Sequence, residues 1–428
     1  MAGVYETIRQ HVFSLEIIDT HEHLPAREQD RDASGDVLSE YMQHYFAADM
    51  VSAGLDPARV PMLSDARIPL DKRWQMIAPF WEAACNTGYG RALAISVAEL
   101  YGITRIDATT IGQLNAAFLQ ARDKGGVYQR VLKDLCKIRV SLLDSILPNQ
   151  AQPDRRFFVP VLRVDGLIAI HGVAELEGLA GRCGVGKIHS LSDLEDAAER
   201  LIDSSVASGI AALKSACAYE RHLRFEKVTR EAAEGEFNAL WSQAAAVGAT
   251  GGNLRLGDYM MHHVCRLADQ RGLAFQIHTG LQAGNGNYIE NANPALLTNL
   301  FLEYRGVRFD CFHIGYPYQQ VLANLAKNFP NVFIDFCWAH IISPSAAVAA
   351  LVEFLDAVPA NKISGFGGDF TTIDGVYGHN VMARENIARA LTIKAEQGAL
   401  DVDRACRIGE MLLYGNPLAI FDLGRFIR

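Results

Sequence analysis

No stretch of this chain approaches the roughly 18 consecutive apolar residues that a membrane span requires. Its first residues, MAGVYETIRQHVF, lack the basic-then-apolar order of a secretory leader. Both absences argue against a membrane protein, with a cytoplasmic location as the default expectation. Clusters of basic residues that would follow a phosphate backbone are missing too. The 40 basic residues face 49 acidic ones for a net charge of −9, which argues against a nucleic-acid partner. Cysteine is sparse and dispersed: the eight, at 85, 136, 183, 217, 265, 311, 337 and 406, form no CxxC pair. That excludes a disulfide framework or a thiolate zinc site as the organising feature and predicts buried, reduced thiols. Internal repeats and low-complexity linkers are also absent. What remains is a 428-residue globular chain, 50% hydrophobic, long enough for one large core or two modest ones.

Eight short apolar stretches have the composition of fully buried parallel strands: LEIIDT (15–20), IRVSLLDS (138–145), RFFVPVLRVD (156–165), GIAALKSA (209–216), LAFQIH (273–278), VRFDCFH (307–313), NVFIDFCW (331–338) and KISGFGGDF (362–370). Amphipathic segments such as LSDLEDAAERLIDSSVASG and PYQQVLANLAKNFP separate most of them and end near Gly or Pro, as helices do. Eight such units predict an α/β protein, a slightly elaborated (β/α)8 barrel. The gap from 24 to 135 carries helical patterns and no convincing strand. The expected organisation is therefore a barrel from 1–23 and 136–428, with 24–135 as a helical insertion capping its mouth. An extra helix and a Gly-rich loop are expected within 229–256.

Barrel chemistry sits at the C-terminal strand ends, where this chain has His21, His23, Lys214, His278, His313 and Asp369. His21 and His23 stand at i and i+2 on an extended segment, so both imidazoles can face the axis and share one metal ion. Asp369, after GFGG, brings a carboxylate from the far side of the ring, its glycines expected to let the backbone approach the metal. Asp19, one layer deeper, is expected to orient a ligand histidine.

This constellation resembles the amidohydrolase superfamily, which carries HxH after strand 1, lysine or glutamate at strand 4, histidines at strands 5 and 6, and aspartate at strand 8. GIAALKSACAYER, IHTG, FHIGYPYQQ, NVFIDFCWAHIISPSA and LLYGNPLAIFDL are similar to the amidohydrolase-2 type, including domains found alone or fused to glutamine synthetase. The helical insertion, FFVPVLRVD and FCW also resemble uronate isomerases, which share the barrel. The first resemblance implies a metal-dependent hydrolase; the second, an aldose-ketose isomerase of hexuronates. Non-oxidative decarboxylation is a third chemistry of the group.

For hydrolysis, a divalent ion, zinc by the nitrogen-rich ligands or manganese, one ion or two, would lower the pKa of bound water toward about 7. His21, His23, Lys214, His278, His313 and Asp369 form the expected ligand set, with Asp369 shuttling a proton and His313 polarising a carbonyl. Lys214 is either carboxylated and bridging two ions or a cation for a substrate carboxylate. Arg163, Tyr219 and Arg221 are expected to form a cationic rim for a small carboxylate-bearing substrate, Trp338 either an apolar wall or packing beneath the cap, and 284–291 a mobile loop at the mouth. Arg384 reads best as part of a solvated helix face. A homo-oligomer is expected.

Overall fold

The computed structural model describes residues 3–42, 45–146, 152–242 and 254–427. The Gly-rich part of the 229–256 stretch lies outside them; the expected extra helix is Arg230–Ser242. Eight parallel strands follow one another around a barrel: β1 (Ile17–Glu22), β2 (Ile138–Leu143), β3 (Phe158–Pro160 and Leu162–Arg163), β4 (Ala212–Ser215), β5 (Ala274–Ile277), β6 (Arg308–Cys311), β7 (Val332–Asp335) and β8 (Ile363–Ser364). Seven fall within one of the eight apolar stretches read from the sequence, and β1 runs two residues beyond its stretch, to Glu22. β3 is split because its two halves serve different neighbours, the first pairing with β2 and the second with β4. Pro160, which has no amide proton to donate, sits at that exchange.

Closure comes from the loops beyond β8. Thr20 N donates to Phe366 O (3.1 Å), Asp369 N to His21 O (2.8 Å) and His23 N to Phe370 O (3.0 Å). One large apolar core joins the strands to the outer helices, and a smaller one packs Ile18, Val140, Leu142 and Val159 with Ile420 and Phe421 of the C-terminal segment.

Between β1 and β2 the described residues hold helices and no strand. Three of these are α1 (Leu70–Ala84), α2 (Gly88–Tyr101) and α3 (Ile111–Lys124). The Thr87 side chain caps α2 at its start, and Gly102, in the left-handed region, ends it. Residues between Val37 and Phe118 form a hydrophobic cluster of their own, with Trp74 and Trp81 near its centre.

The segment is tied to the barrel through α4 (Ile373–Glu396). Tyr41 and Tyr101 both donate to Asp374 Oδ2, at 2.9 and 2.7 Å, and Ser96 Oγ donates to the Asp374 carbonyl at 2.5 Å. Close approach of α2 and α4 depends on glycine, since a Cβ at Gly378 would lie 1.9 Å from the Ala92 carbonyl oxygen.

Arg384 of α4 is buried and donates to Asn380 and to the carbonyls of Val12, Leu15 and Cys136, so it fastens the N-terminal segment. The expected solvated helix face is wrong at this residue. Its donors satisfy helix-end carbonyls that packing has removed from water.

Gly378→Ala is expected to lower stability by about 1–3 kcal/mol, because backbone oxygen cannot yield to the new methyl. Gly112→Ala, where a Cβ meets nothing within 4 Å, is expected to be neutral or to stabilise by up to about 1 kcal/mol. Chemical denaturation midpoints compare the two; equal losses would refute the packing account of α2 on α4.

Candidate metal centre

The C-terminal ends of the strands bring His21, His23, Lys214, His278, His313 and Asp369 together in one buried site. Asp369 is its hub. Its Oδ1 lies 3.1 Å from His23 Nε2 and 3.7 Å from His21 Nε2, while Oδ2 lies 4.0 Å from His313 Nε2. A cavity of about 320 Å³ opens above, lined among others by Tyr45, Arg163, Lys214, Tyr219 and His278. A larger groove of about 930 Å³ runs outside the barrel, lined by residues such as Pro344, Val348 and Glu385. Among the described residues it contains none of the candidate metal-ligating groups.

Each imidazole is held by its outer nitrogen. His23 Nδ1 pairs with the Asp144 carbonyl (2.8 Å), His313 Nδ1 with the Cys337 carbonyl (2.8 Å) and His278 Nε2 with the Leu281 carbonyl (2.9 Å). A carbonyl only accepts, so these nitrogens carry the protons and the inward ones present lone pairs. His21 follows the same logic. Gln276 Nε2 donates to Thr20 O (2.8 Å), which turns Gln276 Oε1 toward His21 Nδ1 (3.2 Å).

Two consequences test whether a cation fits. His21 Nε2 is buried with no hydrogen-bond partner. His278 Nδ1 and His313 Nε2 face each other at 3.1 Å, lone pair against lone pair. A proton between them is disfavoured at neutral pH. Burial, then His313 and Lys214, push His278 well below the usual imidazole value, and burial brings His313 down to about 4. Burial, with Lys214 and His23, depresses His21 as well. Neutral imidazoles aimed at one point, beside a carboxylate, suit a divalent cation. Burial opposes ionisation of Asp369, but the His23 contact and the charge that His23, His21 and His313 carry when protonated outweigh it and put its pKa well below the carboxylate range.

Several contributors escaped the sequence reading. Asp144, directly after β2, has its Oδ2 3.6 Å from His21 Nε2, forming a potential ligand group with His21 and His23. Burial raises its pKa, yet Arg163 and the two histidines more than offset this and keep it ionised. Cys337 forms a second such group with His313 and Asp369, although burial raises its thiol pKa. Gln276 orients His21. Tyr45, from the segment between β1 and β2, donates its hydroxyl to the Asp369 carbonyl at 2.6 Å. The aspartate of SLLDS, directly after the strand, was the one available signal. Gln276 and Tyr45 had none.

Other expected residues fall differently. Arg163 lines the cavity, but its guanidinium is paired with Asp144 at 2.5 Å and Asp165 at 3.4 Å. Arg221 is turned away and bound to Asp258 at 2.5 Å, so the pair does not form a free cationic rim. Tyr219 does line the cavity, its hydroxyl accepting from Ala283 N at 2.8 Å. Trp338 is buried, stacked on Tyr45 (4.4 Å) and edge-on to His313 (5.0 Å). It packs beneath the cap, with Tyr89 also parallel to its ring.

Lys214 is buried 3.5 Å above the Phe312 ring centre. Asp19 holds backbone rather than a histidine ring: it accepts from His21 N (3.2 Å), Gly368 N (2.9 Å) and Ser141 Oγ (2.8 Å). The glycines before Asp369 do not make room for a metal. A Cβ at Gly368 would fall 1.7 Å from Glu22 Oε1, and one at Gly367 2.5 Å from Thr20 Oγ1. His313, Trp338 and Asp369 all adopt positive φ, at 61°, 60° and 58°. Such conformations gather where a site dictates side-chain direction.

The loop at 284–291 reaches the cap, with Asn285 Nδ2 donating to the Ala48 carbonyl at 3.2 Å.

Residues 227–423 match the family model Amidohydro_2, described as amidohydrolase. Over 174 residues the chain is 24% identical to protein fluG of Emericella nidulans, an alignment spanning 39% of this chain but only 20% of that protein. The fold resembles a uronate isomerase from Thermotoga maritima (TM-score 0.78, 15% identity, 98% of this chain and 97% of that one). It also resembles a glucuronate isomerase from Caulobacter crescentus (TM-score 0.71, 17% identity, 99% and 95%). A Lactobacillus casei protein provisionally described as a metal-dependent hydrolase is similar too (TM-score 0.67, 18% identity, 98% and 99%). At these identities the structural likeness speaks for the barrel alone, while the family model accounts for the strand-5 to strand-8 half that carries His278, His313 and Asp369. With the match to that half and the HxH pair completing the ring from β1, the chain is similar to the amidohydrolases in both sequence and site layout.

Proposed function

We infer that this enzyme is a metal-dependent hydrolase of a small, carboxylate-bearing amide or ester. One observation carries the reading: His278 and His313 add two inward lone pairs to those of His21 and His23. The resemblance to uronate isomerases implies chemistry at the HxH pair and the strand-8 aspartate, which leaves the added pair without a task. His21, His23, Asp144 and Asp369 would hold the cation, with His278 and His313 available to it or to a second ion. Such an ion, zinc by the nitrogen-rich set or manganese, supplies Lewis acidity and makes water acidic enough to ionise near neutrality.

The chain's own groups then divide the work. Asp369 Oδ1 faces the β1 histidines, and Oδ2 is left to accept the proton of the attacking water. As the C–N or C–O bond breaks, that proton passes to the departing amine or alcohol; a carboxylate held below its usual pKa gives it up readily. The cavity, near the lower bound of ordinary ligand sites, favours a small substrate. With a dication added, the formal charges of Lys214, Arg163, Asp144, Asp165 and Asp369 sum to a positive value, which favours an anion. Lys214, whose ammonium lies over the Phe312 ring and lines the cavity, is the better partner for its carboxylate; Arg163 is already paired.

A second reading, uronate isomerisation, is supported by the full-length likeness to uronate isomerases. It shares the small anionic substrate.

His21→Asn with His23→Asn is expected to keep the far-ultraviolet circular dichroism spectrum and to lose divalent metal by elemental analysis; full occupancy would remove these residues from the ligand set. Asp369→Asn, assayed at saturating metal, should lose at least about 10²-fold in kcat. Near-full turnover would end the proton-relay role. Asp144→Asn should weaken metal affinity by about 10- to 100-fold in titrations of the apo-protein. Against a panel of N-acyl amino acids and γ-glutamyl amides, at least one metal-dependent hydrolysis is expected, with no ketose from glucuronate or galacturonate. Ketose formation at a useful rate would replace hydrolysis by the second reading.

A further inference from the structure

The opposite end of the barrel carries a basic pocket that is not apparent from the linear sequence. Lys133, Lys137, Arg139, Arg155 and Arg156, spread over 24 positions, line one cavity of about 600 Å³ with Glu16 as the acidic residue in its wall. Asp154 offsets Arg156, with an N–O distance of 2.6 Å. Five positive and two negative charges leave +3 on a chain whose net charge is −9.

Lys133, Lys137 and Arg155 are bonded to backbone carbonyls, which orient a charge without cancelling it. Lys133 Nζ donates to the Arg139 carbonyl (2.5 Å) and Lys137 Nζ to that of Phe13 (3.1 Å). Arg155 donates to the Gly209 and Ser208 carbonyls at 3.0 and 2.6 Å. The cations are thereby pre-positioned.

Two further observations show that they are held together against resistance. Burial first, and then the Arg139 charge, depress the Lys133 pKa. Lys137 occupies the left-handed region at φ 55°, where a glycine would rest without strain. Beside the charges Val159, Phe426 and Ile427 give the cavity an apolar wall.

We propose that this pocket binds a small organic polyanion of the nucleoside-phosphate class, its phosphates among Lys133, Lys137, Arg139 and Arg156 and its apolar part on the wall at Val159 and Phe426. It is separate from the metal centre, which lies at the other end of the strands, and it does not depend on the reaction assigned there. Convergent lysines and arginines suit phosphate oxygens both as point charges and through the planar guanidinium fork.

The test uses ATP as the probe with the full-length protein, by isothermal titration calorimetry. At 50 mM NaCl the wild type is expected to bind with a dissociation constant below about 100 μM, weakening at 200 mM NaCl as charge is screened. The paired substitutions Lys137→Gly and Arg139→Gln remove two charges, the first also relieving the backbone. They should weaken binding at least 10-fold with an unchanged melting temperature. Arg156→Gln alone, which touches no helix end, should weaken it at least 3-fold. No heat of binding for the wild type at 1 mM ATP, or equal affinity in both variants, would overturn the proposal; the second result would move the anion to another site.

Discussion

One backbone hydrogen bond, from Asp369 N to His21 O, does two jobs on which the rest of the site depends. It closes the barrel between its last strand and its first. It also fixes the register that puts the Asp369 carboxylate among the imidazoles from β1 and β6. Around it the supporting bonds are reciprocal: Asp19 accepts from Gly368 N, Glu22 accepts from Phe370 N, and Tyr45 reaches down to the Asp369 carbonyl. A barrel seam of this kind leaves Asp369 no choice of backbone conformation, and the left-handed φ it adopts is the price of that direction.

Burial shapes the electrostatics in two opposite ways. It drives His21, His278 and His313 toward the neutral form, which a cation needs, and it would drive carboxylates neutral as well, which a cation does not need. Asp369 and Asp144 escape because positive or polarisable partners surround them. Deeper in the barrel no such partners suffice. Asp310 faces Asp335, and burial followed by the neighbour's charge raises Asp310 well above the carboxylate range. The same fold thus lowers the pKa of carboxylates at its mouth and raises it in its interior.

The strands and the six ligand-type residues were legible because each is constrained locally: a buried parallel strand must be apolar throughout, and a ligand must be of a few residue types at its C-terminal end. Asp144 satisfied the same rule and was passed over inside SLLDS, as a continuation of the strand. What could not be read were relations across distance. Arg221 finds Asp258 and Arg163 finds Asp144, so two arginines that looked available for substrate are not. Gln276 alternates inward on β5 like any core residue, and only the fold reveals that it faces His21. The glycines of GFGG announced a close approach, but of Glu22 and Thr20 rather than of an ion, and nothing in the local pattern distinguishes these. The basic pocket belongs to the same class, assembled from a helix end, a strand start and a loop.

The outer hydrogen bonds of the histidines have a consequence for the site's proton inventory. Since the protons of His21, His278 and His313 are already committed to Gln276 and to backbone carbonyls, an arriving cation has none to displace from those rings at neutral pH. An ordinary histidine site weakens as the medium falls through pH 6.5, because protons and metal compete for the same nitrogen. Here that competition is postponed toward pH 4 for His313. Burial has sheltered His21, His278 and His313 from acid in advance, so that at these three rings the proton becomes a competitor for the ion only at lower pH.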